Sequence, residues 1–311
     1  MPELPEVETV VRLIRPKLVG RTITGAEVHW RRTVVARAFE ERVVGARIVA
    51  VRRRAKYIVV DLARRGRCAG AILAHLRMTG RMHVEKRAVE SVPYAKVELA
   101  LDDGRVLHFV DVRKFGRFEF TADVEARLAR IGPEPLEEEF TAAWLQDGLR
   151  ARRRLLKPLL LDQSFVAGLG NIYVDEALHR AGLHPLARSE RVNPEQSARL
   201  RAEIRAVLAE AIEREGSSFD TFYRTPEGNP GGYQDQFRVY GRDGKPCRAC
   251  GTTIVRLVVG QRGTHVCTVC QPRRAQSQKR RARDVSSRAS SKRVRTRAPA
   301  PTAASTSKDR A

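Results

Sequence analysis

Cys247-Arg248-Ala249-Cys250 and Cys267-Thr268-Val269-Cys270 stand sixteen residues apart near the end of a 311-residue chain. Two Cys-x-x-Cys pairs at that distance let four thiolates close a tetrahedron around one Zn²⁺, with the residues between them folded as a two-stranded ribbon. A thioredoxin-type redox pair is the alternative, and the presence of a second matched pair argues against it. Four sulfur ligands leave no open position, so the ion is expected to be structural. Cys68 stands alone and reads as a buried strand residue. In a long chain this cysteine usage fits a reducing compartment rather than a disulfide framework. Gln261-Arg262-Gly263-Thr264 falls at the tip of the expected ribbon, which makes Arg262 a candidate contact residue.

The charge says what such a tip would touch. Lys and Arg number 59 against 36 Asp and Glu, a net charge of +23. An excess of that size points to a polyanion, with nucleic acid first among them. Residues 271–311 carry +11, which leaves the body basic in its own right at +12. The apolar fraction of 42% is enough for real cores. No apolar run reaches the roughly 18 residues of a membrane span, and the start lacks the pattern of a secretory signal. The expectation is a cytoplasmic monomer, nucleoid-associated if bacterial.

Upstream of the ribbon the chain changes character twice. Val7–Leu18 reads as an amphipathic helix. From Thr22 to Phe120 short apolar or alternating runs predict strands at Val43–Arg52, Tyr57–Leu62, Ala71–Leu76, Lys96–Leu101, Val106–Asp111 and Arg117–Phe120. Turn signals such as Arg65-Gly66 and Asp103-Gly104 separate them, so this region reads as a β-sandwich. Gly132-Pro133-Glu134-Pro135 is a stiff break. Beyond it, helices are predicted over Thr141–Asp147 (stopped by Gly148), Leu155–Leu161, Ile172–Ala181 and Pro194–Glu215, with a short one at Ser217–Tyr223. Residues 224–234 read as a flexible Pro/Gly loop. The fold class is α+β and multi-domain: a sandwich at 1–132, helices with a loop at 133–236, the ribbon at 237–271, and a basic disordered tail at 272–311.

The first residues, Met1-Pro2-Glu3-Leu4-Pro5-Glu6, carry a second signal. Pro2 is small enough for Met1 to be trimmed, exposing a secondary amine whose unperturbed pKa is about 7.7–8.0. Attack by that amine on an aldehyde-level sugar carbon gives only a cationic iminium, a strong electron sink. Glu3 beside it is placed to move a proton. The plainer reading is that Pro5, Glu6 and Glu8 simply begin a helix.

Four further stretches bear on function. Arg53-Arg54-Ala55-Lys56-Tyr57 joins two strands, and Lys56 is a candidate phosphate contact. His75-Leu76-Arg77-Met78-Thr79-Gly80 and Asp111-Val112-Arg113-Lys114-Phe115-Gly116 both end strands at turns. Each supplies a bulky residue beside an arginine, as a wedge for an opened base stack requires; the alternative is a Met and a Phe packed in the core. Gly168-Leu169-Gly170-Asn171 opens a helix whose N-terminus suits a phosphate, with Arg152, Arg153, Arg154 and Lys157 adding charge nearby.

Taken in order, these motifs make the chain resemble the formamidopyrimidine-DNA glycosylase family over about residues 2–271. The resemblance implies a β-sandwich, a helix–two-turns–helix domain and a zinc ribbon gripping damaged duplex DNA between them. It implies excision of 8-oxoguanine and formamidopyrimidines through a Pro2 iminium, then β,δ-elimination at the abasic site. It gives Pro2, Glu3, Lys56 and Arg262 catalytic roles. Met78, Arg113 and Phe115 match void-filling residues, Arg113 facing the orphaned cytosine, and Asn171 and Arg152 match phosphate contacts. Residues 217–234 correspond to the segment that closes over the flipped base.

Two departures stand out. Tyr94-Ala95-Lys96 replaces the family's usual His-x-His, leaving Tyr94 to donate to a phosphate and Lys96 to supply charge there. Val112 and Lys114 depart from the usual Asp-Pro-Arg-Arg-Phe-Gly. Rival readings are an endonuclease VIII-type enzyme for oxidised pyrimidines, disfavoured by Leu4, and a zinc-bearing protein that binds damaged DNA without cutting. The tail is expected to add salt-dependent, non-specific DNA affinity.

Overall fold

The computed structural model describes residues 1–86, 92–218 and 223–273, and residues 1–273 form one compact unit. The chain starts with α1 (Leu4–Leu18), β1 (Ile23–Val28) and the short α2 (Phe39–Val43). Seven strands follow: β2 (Arg47–Arg54), β3 (Tyr57–Arg64), β4 (Arg67–His75), β5 (Gly80–Lys86), β6 (Ala95–Leu101), β7 (Arg105–Asp111) and β8 (Arg117–Thr121). They pair as two four-stranded antiparallel sheets, β2-β3-β4-β8 and β1-β6-β7-β5.

Period-two alternation points Ile58, Val60, Ile72 and Phe118 of one sheet at Met82, Val84, Leu99, Leu107 and Phe109 of the other. Val7, Val10, Val11, Ile14 and Leu18 of α1 close the same core at helical spacing. The other face of the first sheet, Val59, Ala71 and Leu73, is covered by Leu128 of α3 (Val124–Leu128).

The helices that follow are α4 (Ala142–Arg152), α5 (Leu156–Leu160), α6 (Asn171–Arg180) and α7 (Pro194–Glu213). Side-chain caps start two of them: Thr141 accepts from the Trp144 N–H, and Asn193 forms a capping box with Gln196. Leu145, Leu149, Leu160, Val174, Leu178, Leu200 and Ile204 build their common core. Leu4 belongs to that core although the rest of α1 packs on the sandwich. One helix is thus shared by both halves. β9 (Val255–Val259) and β10 (Arg262–Val266) form the closing hairpin.

Some expectations need correction. Gly148 does not stop α4, which runs on to Arg152. A Cβ there would stand 2.7 Å from the Phe165 ring, so this glycine permits close packing inside a helix. Residues 39–43 are helical where a strand was expected to begin at Val43, and β1, β5 and α3 were not foreseen. Cys68 is exposed, not buried, because it lies at the hairpin end of β4, outside the covered part of the sheet. Most of the helix expected at Ser217–Tyr223, and the tail from residue 274, lie outside the described residues. No described helix is long and apolar enough to cross a membrane.

Candidate active site

A cleft of about 490 Å³ opens where α1, α6 and the β9–β10 hairpin meet. Pro2, Glu3, Met78, Asn171 and Arg262 line it, so five residues singled out in the sequence converge from positions up to 260 apart. Glu6, Gly170 and Ser217 line it too.

Glu3 is the fixed point of this cleft. It caps α1, and its backbone N–H donates to Glu6 Oε2 at 2.8 Å. Its carboxylate reaches α6, where Oε1 accepts from the Ile172 N–H (3.0 Å) and Oε2 from the Tyr173 N–H (3.4 Å). The N–H groups expected to hold a phosphate are therefore taken by a carboxylate of the protein itself. The glycines of Gly168-Leu169-Gly170 are required by that approach. A Cβ on Gly170 would lie 2.3 Å from the Glu3 carboxyl carbon, and one on Gly168 would lie 2.6 Å from Leu4.

Glu3 is 3% exposed. Burial raises its pKa, opposed chiefly by the charge of Lys56. Lys56 is lowered by its own burial, with Glu3 and Glu6 opposing and Arg262 adding to the effect. Each of the two groups is thereby drawn toward its neutral form. Glu6 accepts from Tyr173 Oη (2.5 Å) and the Ser217 N–H (2.8 Å), which ties α1 to α6 and to the segment after α7.

The basic cluster divides in two. Arg53 pairs with Glu8 (3.0 Å) and Glu134 (2.5 Å), and Arg54 holds Glu134 (2.9 Å) and the Ile131 and Gly132 carbonyls. Both arginines clamp the Gly132–Pro135 break to the sandwich. Lys56 turns inward at the two-residue β2–β3 turn, where Ala55 is left-handed (φ 52°).

Met78 and Phe115 are not core residues: they are 37% and 50% exposed. Their turns are joined from beneath by Asp111, which accepts from Thr79 Oγ1, from the Gly116 N–H (2.6 Å) and from the Arg113 N–H (3.2 Å). The Arg113 guanidinium lies 4.7 Å from the Phe115 ring centroid. Tyr94 is 60% exposed and left-handed (φ 63°), and its carbonyl accepts from the Asp111 N–H. Arg152 ends α4 with its guanidinium 5.7 Å from the Phe165 ring.

The far wall is the hairpin tip. Gly260 and Gln261 both have positive φ (56° and 61°), as a two-residue type I′ turn requires, and Arg262 follows, exposed. The Gly263 carbonyl accepts from Asn171 Nδ2 (2.9 Å) and Lys157 Nζ (3.0 Å). Lys157 also bonds Thr264 Oγ1 (2.8 Å) and Asp175 Oδ1 (2.6 Å) and is wholly buried. It is a structural clamp on the hairpin rather than the surface charge expected from the sequence.

The four cysteine Sγ atoms lie within 4.8 Å of one another, with separations of 3.4, 3.5 and 3.9 Å among them. A tetrahedral zinc with bonds of about 2.3 Å needs sulfurs about 3.8 Å apart, so the cluster fits one structural Zn²⁺. His179 Nε2 of α6 lies 3.5 Å from Cys247 Sγ, joining the cluster to the helices.

Comparisons with known proteins agree with this assembly. Residues 1–118 match the formamidopyrimidine-DNA glycosylase N-terminal domain, 131–223 its H2TH domain, and 244–273 the zinc finger found in FPG and IleRS. Those three modules in that order define a DNA-repair glycosylase with a zinc finger. The chain belongs to the formamidopyrimidine-DNA glycosylase family. It is 48% identical over 277 residues to the formamidopyrimidine-DNA glycosylase of Chloroflexus aggregans, covering 87% of this chain and 98% of that one. The crystal structure of the MutM (FPG) protein from Thermus thermophilus superposes with a TM-score of 0.78 at 41% identity, over 88% of this chain and 100% of that one. A MutM complex with DNA containing carbocyclic 8-oxo-G gives 0.79 at 34% identity, over the same shares.

Proposed function

We propose that this protein flips oxidised purines, 8-oxoguanine and formamidopyrimidines, out of duplex DNA and excises them with Pro2 as nucleophile, then cuts the strand by β,δ-elimination. The observation that carries the reading is the buried Glu3 carboxyl, pinned across the N-terminus of α6 beside Pro2 in the cleft.

Once Met1 is removed, the Pro2 nitrogen bonds to the anomeric carbon. Glu3, held toward its protonated form by burial, gives its proton to the sugar ring oxygen as the ring opens. The base departs with the glycosidic electron pair, leaving an iminium between Pro2 and the opened sugar. That cation acidifies the neighbouring sugar C–H. Loss of this proton expels the 3′ phosphate, and a second elimination expels the 5′ phosphate. Arg262 supplies positive charge where the leaving phosphates develop negative charge, and Lys56, drawn toward its neutral amine by burial, offers N–H donors and a proton acceptor beside it. Met78 and Phe115 fill the vacated stack, Arg113 faces the unpaired cytosine, and Tyr94, Arg152 and Asn171 bear on the backbone. The zinc, held by Cys247, Cys250, Cys267 and Cys270, supplies no chemistry and fixes the ribbon that presents Arg262. The working division is a catalytic sandwich to residue 132, a DNA-binding helical segment to 236, and the ribbon to 271.

Borohydride trapping on a duplex with one 8-oxoguanine opposite cytosine tests this. The expected result is a covalent protein–DNA adduct that a Pro2→Gly variant largely loses. Trapping mainly on a thymine glycol duplex would move the enzyme to oxidised pyrimidines. No adduct on either, from protein shown by intact mass to lack Met1, would overturn the iminium mechanism.

A further inference from the structure

The outward face of the second sheet carries a row of chemistry that the excision site does not use. Glu27, Glu98, His108 and His83 are successive cross-strand partners on β1, β6, β7 and β5, so they form one line across all four strands. Glu85 lies two residues beyond His83 on the same face of β5. The imidazoles of His83 and His108 are stacked, with ring centroids 5.1 Å apart. Glu85 Oε1 sits between them, 3.6 Å from Nε2 of each.

His108 makes this more than a polar stripe. Its side chain is only 5% exposed, and its Nδ1 is 3.0 Å from Glu98 Oε1. A carboxylate on Nδ1 fixes the proton there and leaves Nε2 with a lone pair. That Nε2 is buried, has no hydrogen-bond partner among the described residues, and faces the Glu85 oxygen and His83. Glu85 is half-exposed, but the buried Nε2 has no water-facing side, so two acceptors aimed at each other there are unfavourable unless a cation lies between them.

We infer that His83, Glu85 and His108 form a second metal site, for a borderline divalent ion such as Zn²⁺, with Glu98 orienting His108. Two imidazoles and one carboxylate are the ligand types such ions take, and water would fill the remaining positions. Zinc bonds of about 2.0–2.1 Å place tetrahedral ligands about 3.3 Å apart; the Glu85 oxygen already stands 3.6 Å from each Nε2, and the two stacked imidazoles turn toward each other to converge on one ion. Arg81, on the same face, opposes a cation, but the Glu85 and Glu98 carboxylates outweigh it. The neighbouring Glu27–His29–Glu98 group offers a single imidazole on more exposed side chains, and Glu98 is already engaged with His108. An ion at the first site staples edge strand β5, which begins just after the Met78 turn, to β7.

The test is zinc stoichiometry on the full chain, starting from protein with one zinc in the cysteine site. Residues 274–311 contain no His or Cys, so the tail offers no imidazole or thiolate to compete. Wild type in chelator-free buffer should take up a second equivalent with a rise in thermal midpoint. The His83→Gln/Glu85→Gln double variant should stay at one, and Glu98→Gln should bind the second zinc about 10–100-fold more weakly. His29→Gln should still bind two. Both residues of the double variant are partly exposed, and undiminished borohydride trapping would show that it is folded. A wild type that stops at one equivalent, a double variant that still binds two, or loss of the second zinc in His29→Gln would each overturn the site.

Discussion

The floor of the cleft and the two turns beside it invert the usual rule of burial. On the floor and just behind the hairpin wall, Glu3, Glu6, Asp175 and Lys157 are charged or ionisable and almost wholly buried, each with several partners. In the turns, Met78 and Phe115 are apolar and exposed, although the backbone beneath them is held by Asp111. Floor side chains are therefore part of the fold. Turn side chains are free of it, because their loops are fixed through the main chain. Changes on the floor should cost stability, activity or both; changes in the turns should cost activity alone.

The sharpest way to break that contrast is Glu3→Gln. The amide still accepts one hydrogen bond from α6 but cannot deliver the proton, so single-turnover excision should fall about 10²–10⁴-fold while the protein stays folded. An unchanged rate would remove Glu3 from the chemistry. Next in size is Lys157→Met, which leaves Asp175 buried without its cation. Urea unfolding should show a loss of about 3–5 kcal/mol, with earlier release of zinc. A loss no larger than that of a surface lysine would mean the hairpin does not depend on this clamp.

His75 gives a smaller, pH-dependent test. Burial, with Arg77 and Lys56 nearby, lowers its pKa to about 3 from an ordinary 6.5. The unfolded chain binds the proton more readily, so the stabilisation is complete above about pH 6.5 and is lost as pH falls toward 3. Replacing His75 with Gln should flatten the stability profile in that window. The smallest expected effect on stability is that of Phe115→Ala and Met78→Ala, within about 0.5 kcal/mol. Excision from duplex should slow in both, with less effect on cleavage of a preformed abasic site. A large fall in melting temperature would show that these side chains support the fold after all.

How much of this was legible in the sequence follows the same division. Strands such as Tyr57–Leu62 and Val106–Asp111 announced themselves because apolar residues dominate them. The cysteine pairs, Pro2-Glu3 and Arg262 were visible because their spacing or position is itself chemical information. β5 was missed because Arg81, His83 and Glu85 on its outer face leave only Met82 and Val84 to signal a strand. Lys157 was misread because Arg-Arg-Arg-Leu-Leu-Lys looks like surface charge, and only the distant Asp175 and Thr264 make it a buried clamp. The α6 N-terminus misled for the same reason. A glycine-rich helix start looks the same whether its N–H groups await a phosphate or already hold a glutamate 169 residues earlier in the chain.

The walls of the cleft also set a schedule. One wall comes from residues 2–6 and the opposite one from 261–263. At synthesis rates of about 5–20 residues per second, roughly ten seconds to a minute separate the two on the ribosome. The residues proposed to carry the nucleophile are thus made well before the arginine that faces them. A nascent or prematurely ended chain carries the amine without the pocket, so a half-made copy cannot gain the complete cutting site ahead of the ribbon.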